Sequence, residues 1–86
     1  MRITGELTDE AILRELGTRL ASLRLRSNRT QADLASQAGV SKRTIERLES
    51  GAVATQLSGF LRICRALDLL EGFESFIPRA VPGPME

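Results

Sequence analysis

Residues 31–50 read QADLASQAGVSKRTIERLES, a pattern of two short helices joined by one tight turn. Ala35 is small enough to let a second helix approach closely. Gly39 stands where the chain leaves the first of the two helices, a point that calls for a backbone conformation glycine enters readily. Ser41 follows as an N-cap, its hydroxyl placed to satisfy free N–H groups of the next helix. Leu34, Ala38, Val40, Ile45 and Leu48 supply apolar contacts, which leaves Lys42, Arg43, Thr44 and Arg47 on an outward face. A helix-turn-helix with a basic second helix has dimensions that fit the DNA major groove.

Outward from this stretch the chain continues to read as helix. Thr8 followed by Asp9 and Glu10 marks a helix start, because acidic residues favour the positive end of the helix dipole. Ile12, Leu13, Leu16, Leu20 and Leu23 recur at helical spacing, which predicts a first helix over about 9–26. Gly17 lies inside it at a cost of roughly 1 kcal/mol relative to Ala, and reads as a bend or a break. Ser27, Asn28 and Arg29 form a link, and Thr30 caps the helix that begins at Gln31. After Gly51, Thr55 reads as the cap of a fourth helix with Leu57, Phe60, Leu61, Cys64 and Leu67 on its apolar stripe and Ile63 beside it. Leu69, Leu70, Phe73, Phe76 and Ile77 indicate a short fifth helix ended by Pro78. The expected organisation is an N-terminal arm over 1–8, an all-α bundle of five helices over 9–77 and a Pro-rich flexible tail over 78–86.

Composition narrows the function classes. With 86 residues, 42% hydrophobic and 27% charged, the chain has material for one small core and is unlike a disordered sequence. Aromatics are 3%, all Phe, so that core must be aliphatic. One cysteine permits no internal disulfide, and without His the usual zinc ligands are missing, so neither metal nor cofactor is expected. Cys64 falls on an apolar stripe and reads as a small buried hydrophobe. No apolar run approaches the roughly 20 residues that cross a bilayer, and no signal-peptide pattern opens the chain, so a cytoplasmic protein is expected. There is no nucleophile beside a base and no Gly-rich phosphate loop, so an enzyme is not expected.

The net charge of +1 conceals a segregation along the chain. Residues 19–47 set Arg19, Arg24, Arg26, Arg29, Lys42, Arg43 and Arg47 against Asp33 and Glu46, for +5, while residues 1–18 and 48–86 carry −2 each. The positive excess coincides with the helix-turn-helix, which points to a polyanion at that face.

The run LGTRLASLRLRSNRTQADLASQAGVSKRTIERLESG, Leu16 to Gly51, resembles the Cro/phage-repressor (Xre-like) helix-turn-helix family. TQADLA followed by GVSKRTIERLESG carries the likeness, which extends in outline through the fourth and fifth helices. The resemblance implies a lambda-repressor-like bundle of five helices that places its third helix, 42–50 here, in the major groove of double-stranded DNA. It also implies a homodimer on a two-fold symmetric operator. Family positions for base reading fall on Lys42, Arg43 and Arg47, and Thr44 is placed for a thymine methyl or a phosphate. Gln31 matches a phosphate-holding position at the start of the second helix, with Thr30 assisting, and Ser41 reaches a backbone oxygen. Arg24 and Glu49 occupy positions that in several members form a partly buried ion pair between the first and third helices. Glu46 either accepts from cytosine N4 or pairs with Lys42 or Arg43. One departure stands out: the loop 52–56 has no basic residue where many members set Lys or Arg against phosphates, leaving backbone amides and the Thr55 hydroxyl.

Phe73, Phe76 and Ile77, interspersed with Glu71 and Glu74, form either a dimer or partner surface or the closure of the small core. The ending LRICRALDLLEGFESFIP looks most like the small HipB-type antitoxin relatives, which repress their own operon and bind a kinase-like toxin. A DNA-binding transcriptional regulator, most simply a repressor, is the function expected. The alternatives are an antitoxin that also binds a protein toxin, and a helical docking module that binds no DNA.

Overall fold

Each of the first three helices opens on a hydroxyl. In the computed structural model, which describes residues 1–52 and 55–81, Thr8 Oγ1 accepts the Ala11 N–H at 3.2 Å and starts α1, Asp9–Arg26. Thr30 Oγ1 accepts the Asp33 N–H at 3.0 Å, and the Thr30 N–H donates to Asp33 Oδ2 at 2.9 Å. This reciprocal capping box starts α2, Gln31–Ala38. Ser41 Oγ accepts the Thr44 N–H at 3.1 Å and starts α3, Lys42–Glu49. α4 spans Leu57–Ala66, and a 3₁₀ turn at Leu70–Gly72 leads into α5, the single turn Phe73–Phe76. The described residues thus form five helices and no strand. Val53 and Ala54 of the loop and residues 82–86 of the expected tail lie outside the described residues.

Four helices end on one backbone device. Asn28, Gly39, Gly51 and Asp68 follow α1 to α4 with φ of 57°, 72°, 82° and 59°. In each case the next N–H reaches back to a carbonyl of the last turn: Arg29 to Arg24, Val40 to Ala35, Ala52 to Arg47 and Leu69 to Cys64, at 2.8–3.2 Å. These Schellman closures satisfy carbonyls that would otherwise lack partners. The glycines are readable in advance; Asn28 and Asp68 are among the few other residue types that tolerate the left-handed region.

Leu34, Ile45 and Ile63, from α2, α3 and α4, are each 1% exposed and form the centre of the core. Leu20 from α1, with Ala35, Ala38, Leu48 and Leu67, completes it. Ile63 therefore belongs to the centre, not beside the stripe. Leu57, expected on the stripe, is 70% exposed because it is the first residue of α4 and overhangs the core. Cys64 is buried, and that burial pushes its thiol pKa up, which keeps it an unreactive core residue.

Gly17 does not break α1, which is continuous through it. A Cβ at this position would lie 2.5 Å from the Leu48 carbonyl oxygen and 2.6 Å from that of Glu49. Only glycine lets α1 cross so close to the last turn of α3. At the same crossing, a Cβ on Gly51 would come within 2.8 Å of Arg14 Cγ.

Two expectations follow. Gly17→Ala, which at an exposed helical site adds roughly 1 kcal/mol of stability, is expected here to lose about 1–3 kcal/mol through overpacking. Thermal unfolding followed by circular dichroism checks this, and a raised Tm contradicts the close crossing. Asp33, whose carboxylate accepts the Thr30 N–H, has its pKa held below the ordinary aspartate value. Such a group stabilises the fold above its unfolded-state pKa, near 3.9, and that contribution disappears as pH falls through the lower folded-state value. The Tm advantage of the wild-type chain over Asp33→Asn is therefore expected at pH 7 and to shrink from about pH 4 downward. An advantage that persists undiminished at pH 2 contradicts it.

Candidate nucleic-acid interface

α3 turns Ile45 and Leu48 into the core, which leaves Lys42, Arg43 and Glu46 exposed and Thr44 and Arg47 half-buried. Among the described residues, none of Lys42, Arg43 and Arg47 is paired with a carboxylate, and Glu46 forms no ion pair with its neighbours on the helix. Three cations on one short helix thus lack an internal counter-charge. Ser41 Oγ and Thr44 Oγ1 lie 2.8 Å apart and share a hydrogen bond at the head of this surface.

The position of α3 is set at its other end. Arg24 Nε of α1 donates to Glu49 Oε2 at 2.7 Å, and its Nη2 donates to Oε1 at 3.0 Å. The two side chains are only 10% and 9% exposed. Arg24 Nη1 also donates to the Arg29 carbonyl at 2.8 Å. The hydrogen bond to Glu49 raises the Arg24 pKa above its ordinary value, so the guanidinium is permanently charged. Gln31 Nε2, at the first residue of α2, donates to Glu49 Oε1 at 3.0 Å. One carboxylate therefore joins α1, α2 and α3. Gln31 keeps a second amide N–H and its carbonyl for another partner.

Three of the seven cations in the positive stretch do structural work. Arg24 is one of them. Arg19 Nε donates to Glu15 at 2.9 Å, which lowers the Glu15 pKa, and Arg19 Nη2 donates to the Met1 carbonyl at 2.6 Å, drawing the N-terminal segment back on α1. Arg29 Nη1 donates to Gln37 Oε1 at 2.7 Å and to the Ala66 carbonyl at 2.8 Å, so it closes the C-terminal end of α4. Sequence reasoning had no signal for this role, because Ala66 is distant along the chain. Among the described residues, the cations of this stretch that meet no protein acceptor are Arg26, Lys42, Arg43 and Arg47.

Thr55 is neither a cap nor a surface hydroxyl. Gln56 holds the N-cap position of α4 and makes no side-chain cap bond. Thr55 Oγ1 is closed off from solvent and has no partner among the described residues. At the C-terminal end, Phe73 is half-buried and stacks edge-on against Phe60 and Phe76, with ring centroids 6.3 and 5.8 Å apart. Phe76 and Ile77 are 71% and 68% exposed, so they do not close the core. Phe73 and Phe76 border an apolar groove of about 410 Å³ whose other walls include Leu16, Leu20, Leu23 and Phe60.

Truncating one side of the buried pair leaves the other charge buried without its counter-charge. Glu49→Ala is expected to lose about 3–5 kcal/mol of stability, while the double substitution Arg24→Met with Glu49→Leu loses less because no lone charge remains. Urea denaturation checks both, and an unchanged midpoint for Glu49→Ala contradicts the role given to the pair.

A family model described as a helix-turn-helix domain matches residues 15–72, which include all of α2, α3 and α4. No curated protein matches the chain. Among solved structures, the restriction-modification controller protein C.AhdI from Aeromonas hydrophila is 30% identical with a TM-score of 0.64, and the match covers 69% of this chain and 89% of that one. Among the described residues no helix is long and apolar enough to cross a membrane. By the match across its helix-turn-helix and supporting helices, the chain belongs to the Cro/phage-repressor-like (Xre) family of helix-turn-helix DNA-binding transcription regulators.

Proposed function

We propose that this regulator is a repressor that reads a two-fold symmetric operator as a homodimer, with α3 in the major groove of double-stranded DNA. The observation that carries the reading is the group of unpaired cations Lys42, Arg43 and Arg47 on a helix whose opposite face is locked in the core. Lys and Arg donate to O6 and N7 of guanine, and Arg does so with two parallel bonds, so G·C pairs belong in each half-site. Thr44 offers its methyl to thymine or its hydroxyl to a phosphate. Gln31, through its second amide N–H, takes a phosphate together with the free amides at the start of α2, with Thr30 and Ser41 alongside.

Support for the homodimer comes from the apolar edge at Phe76 and Ile77 and from the groove beside it, which a second copy would cover. Two copies related by a two-fold axis set their α3 helices about 34 Å apart, one turn of DNA. The likeness to a restriction-modification controller protein supports a regulatory output. The same apolar edge is where a protein toxin would dock if the chain were an antitoxin.

Selection of duplexes from a random pool by the full chain is expected to enrich a two-fold symmetric site with guanines in both half-sites. On that duplex, Arg43→Ala is expected to lose about 1–3 kcal/mol of binding and to relax base preference at one position per half-site. Failure to enrich any site refutes sequence-specific binding. Unchanged affinity after combined substitution of Lys42, Arg43 and Arg47 by Ala removes α3 from the interface.

A further inference from the structure

A second cleft, of about 270 Å³ and mostly polar, lies between the helix-turn-helix and the first half of α4. Val40, Ser41 and Thr44 line it on one side, and Thr55, Ser58 and Arg62 on the other. No carboxylate lines it. Arg62 is exposed and forms no ion pair among the described residues. The hydroxyls of Ser41 and Thr44, 2.8 Å apart, use one of their two protons on each other and leave the second O–H for an outside acceptor. A cation, free hydroxyl donors and no acid make a cleft suited to an anion.

We propose that this cleft is a phosphate site of the DNA interface and that Arg62 is the cation that holds a backbone phosphate there. The inference rests on the DNA-binding reading and adds a contact which that reading does not use. Two residues of the cleft wall, Ser41 and Thr44, are the N-cap and a first-turn residue of α3, so a phosphate here lies on the strand that flanks the bases α3 faces. The loop 52–56 supplies no cation, and Thr55, which also lines the cleft, has a hydroxyl oxygen with no partner among the described residues. Arg62, on the second turn of α4, is the cation that lines this cleft.

Arg65 provides an internal control: it is exposed on the same helix and does not line the cleft. Binding of the full chain to its pool-enriched duplex and to a scrambled duplex is measured by fluorescence anisotropy across a KCl series. Arg62→Ala and Arg62→Gln are each expected to lower the slope of log affinity against log salt by about 0.9 per subunit. Both are expected to weaken the two duplexes by the same factor, since a phosphate contact carries no base preference. Arg65→Ala is expected to keep the wild-type slope. A wild-type slope in both Arg62 variants overturns the site, and so does an equal drop in Arg65→Ala, which marks diffuse charge. If the wild-type chain enriches no duplex, the DNA-binding reading itself falls; if it does and the Arg62 variants match it, only the Arg62 contact falls.

Discussion

α3 is eight residues long, shorter than an isolated helix needs to persist in water. It keeps its shape because its last turn rests directly on α1. At Gly17 the two backbones meet without an intervening side chain, with a Cβ excluded by carbonyl oxygens 2.5 and 2.6 Å away. Beside that crossing, Arg24 and Gln31 converge on the Glu49 carboxylate, so α1 and the start of α2 are tied to the end of α3 by directional bonds. Apolar packing of Ile45 and Leu48 supplies contact area, whereas the crossing and the carboxylate fix position and rotation. The remaining surface of α3 is presented in one orientation because of them.

Charge is divided in the same way between framework and surface. Arg19 and Arg24 face carboxylates, Glu15 and Glu49, that offset their charge, while Arg29 commits its donors to neutral carbonyl oxygens and keeps its charge. Lys42, Arg43 and Arg47 have no such acceptor among the carboxylates described, and they stand on the helix whose placement the framework secures. A buried ion pair is an expensive way to add stability. Its geometric demand is what suits it here, since two parallel N–H to oxygen bonds restrict how α3 sits on α1.

Local features of this architecture were legible in the sequence, and features that depend on distant neighbours were not, apart from the Arg24–Glu49 pair, which the family resemblance implied. Thr8, Thr30 and Ser41 were readable as caps because the bond each accepts comes from three residues ahead. Gly39 was readable as a helix stop for the same reason. Gly17 has the opposite character: within its own helix it reads as a defect, and its purpose emerges only when Leu48 and Glu49 arrive from another helix. Thr55 fitted the pattern of a cap, but α4 starts one residue too late for its hydroxyl to serve. Arg29 reads as one more surface cation in the sequence, and its bond to the Ala66 carbonyl depends on a residue 37 positions away. The cations of α3 were readable at once, because a buried Ile45 and Leu48 force the intervening residues outward at helical spacing.

Methylation interference on the duplex enriched by the full chain tests most directly whether α3 enters the major groove. Dimethyl sulfate modifies guanine N7 in the major groove and adenine N3 in the minor groove. The expected result is loss of binding on guanine N7 methylation in two clusters about 10 bp apart, with adenine N3 methylation without effect at those positions. Interference confined to adenine N3, or absent at every guanine, contradicts major-groove reading by Lys42, Arg43 and Arg47.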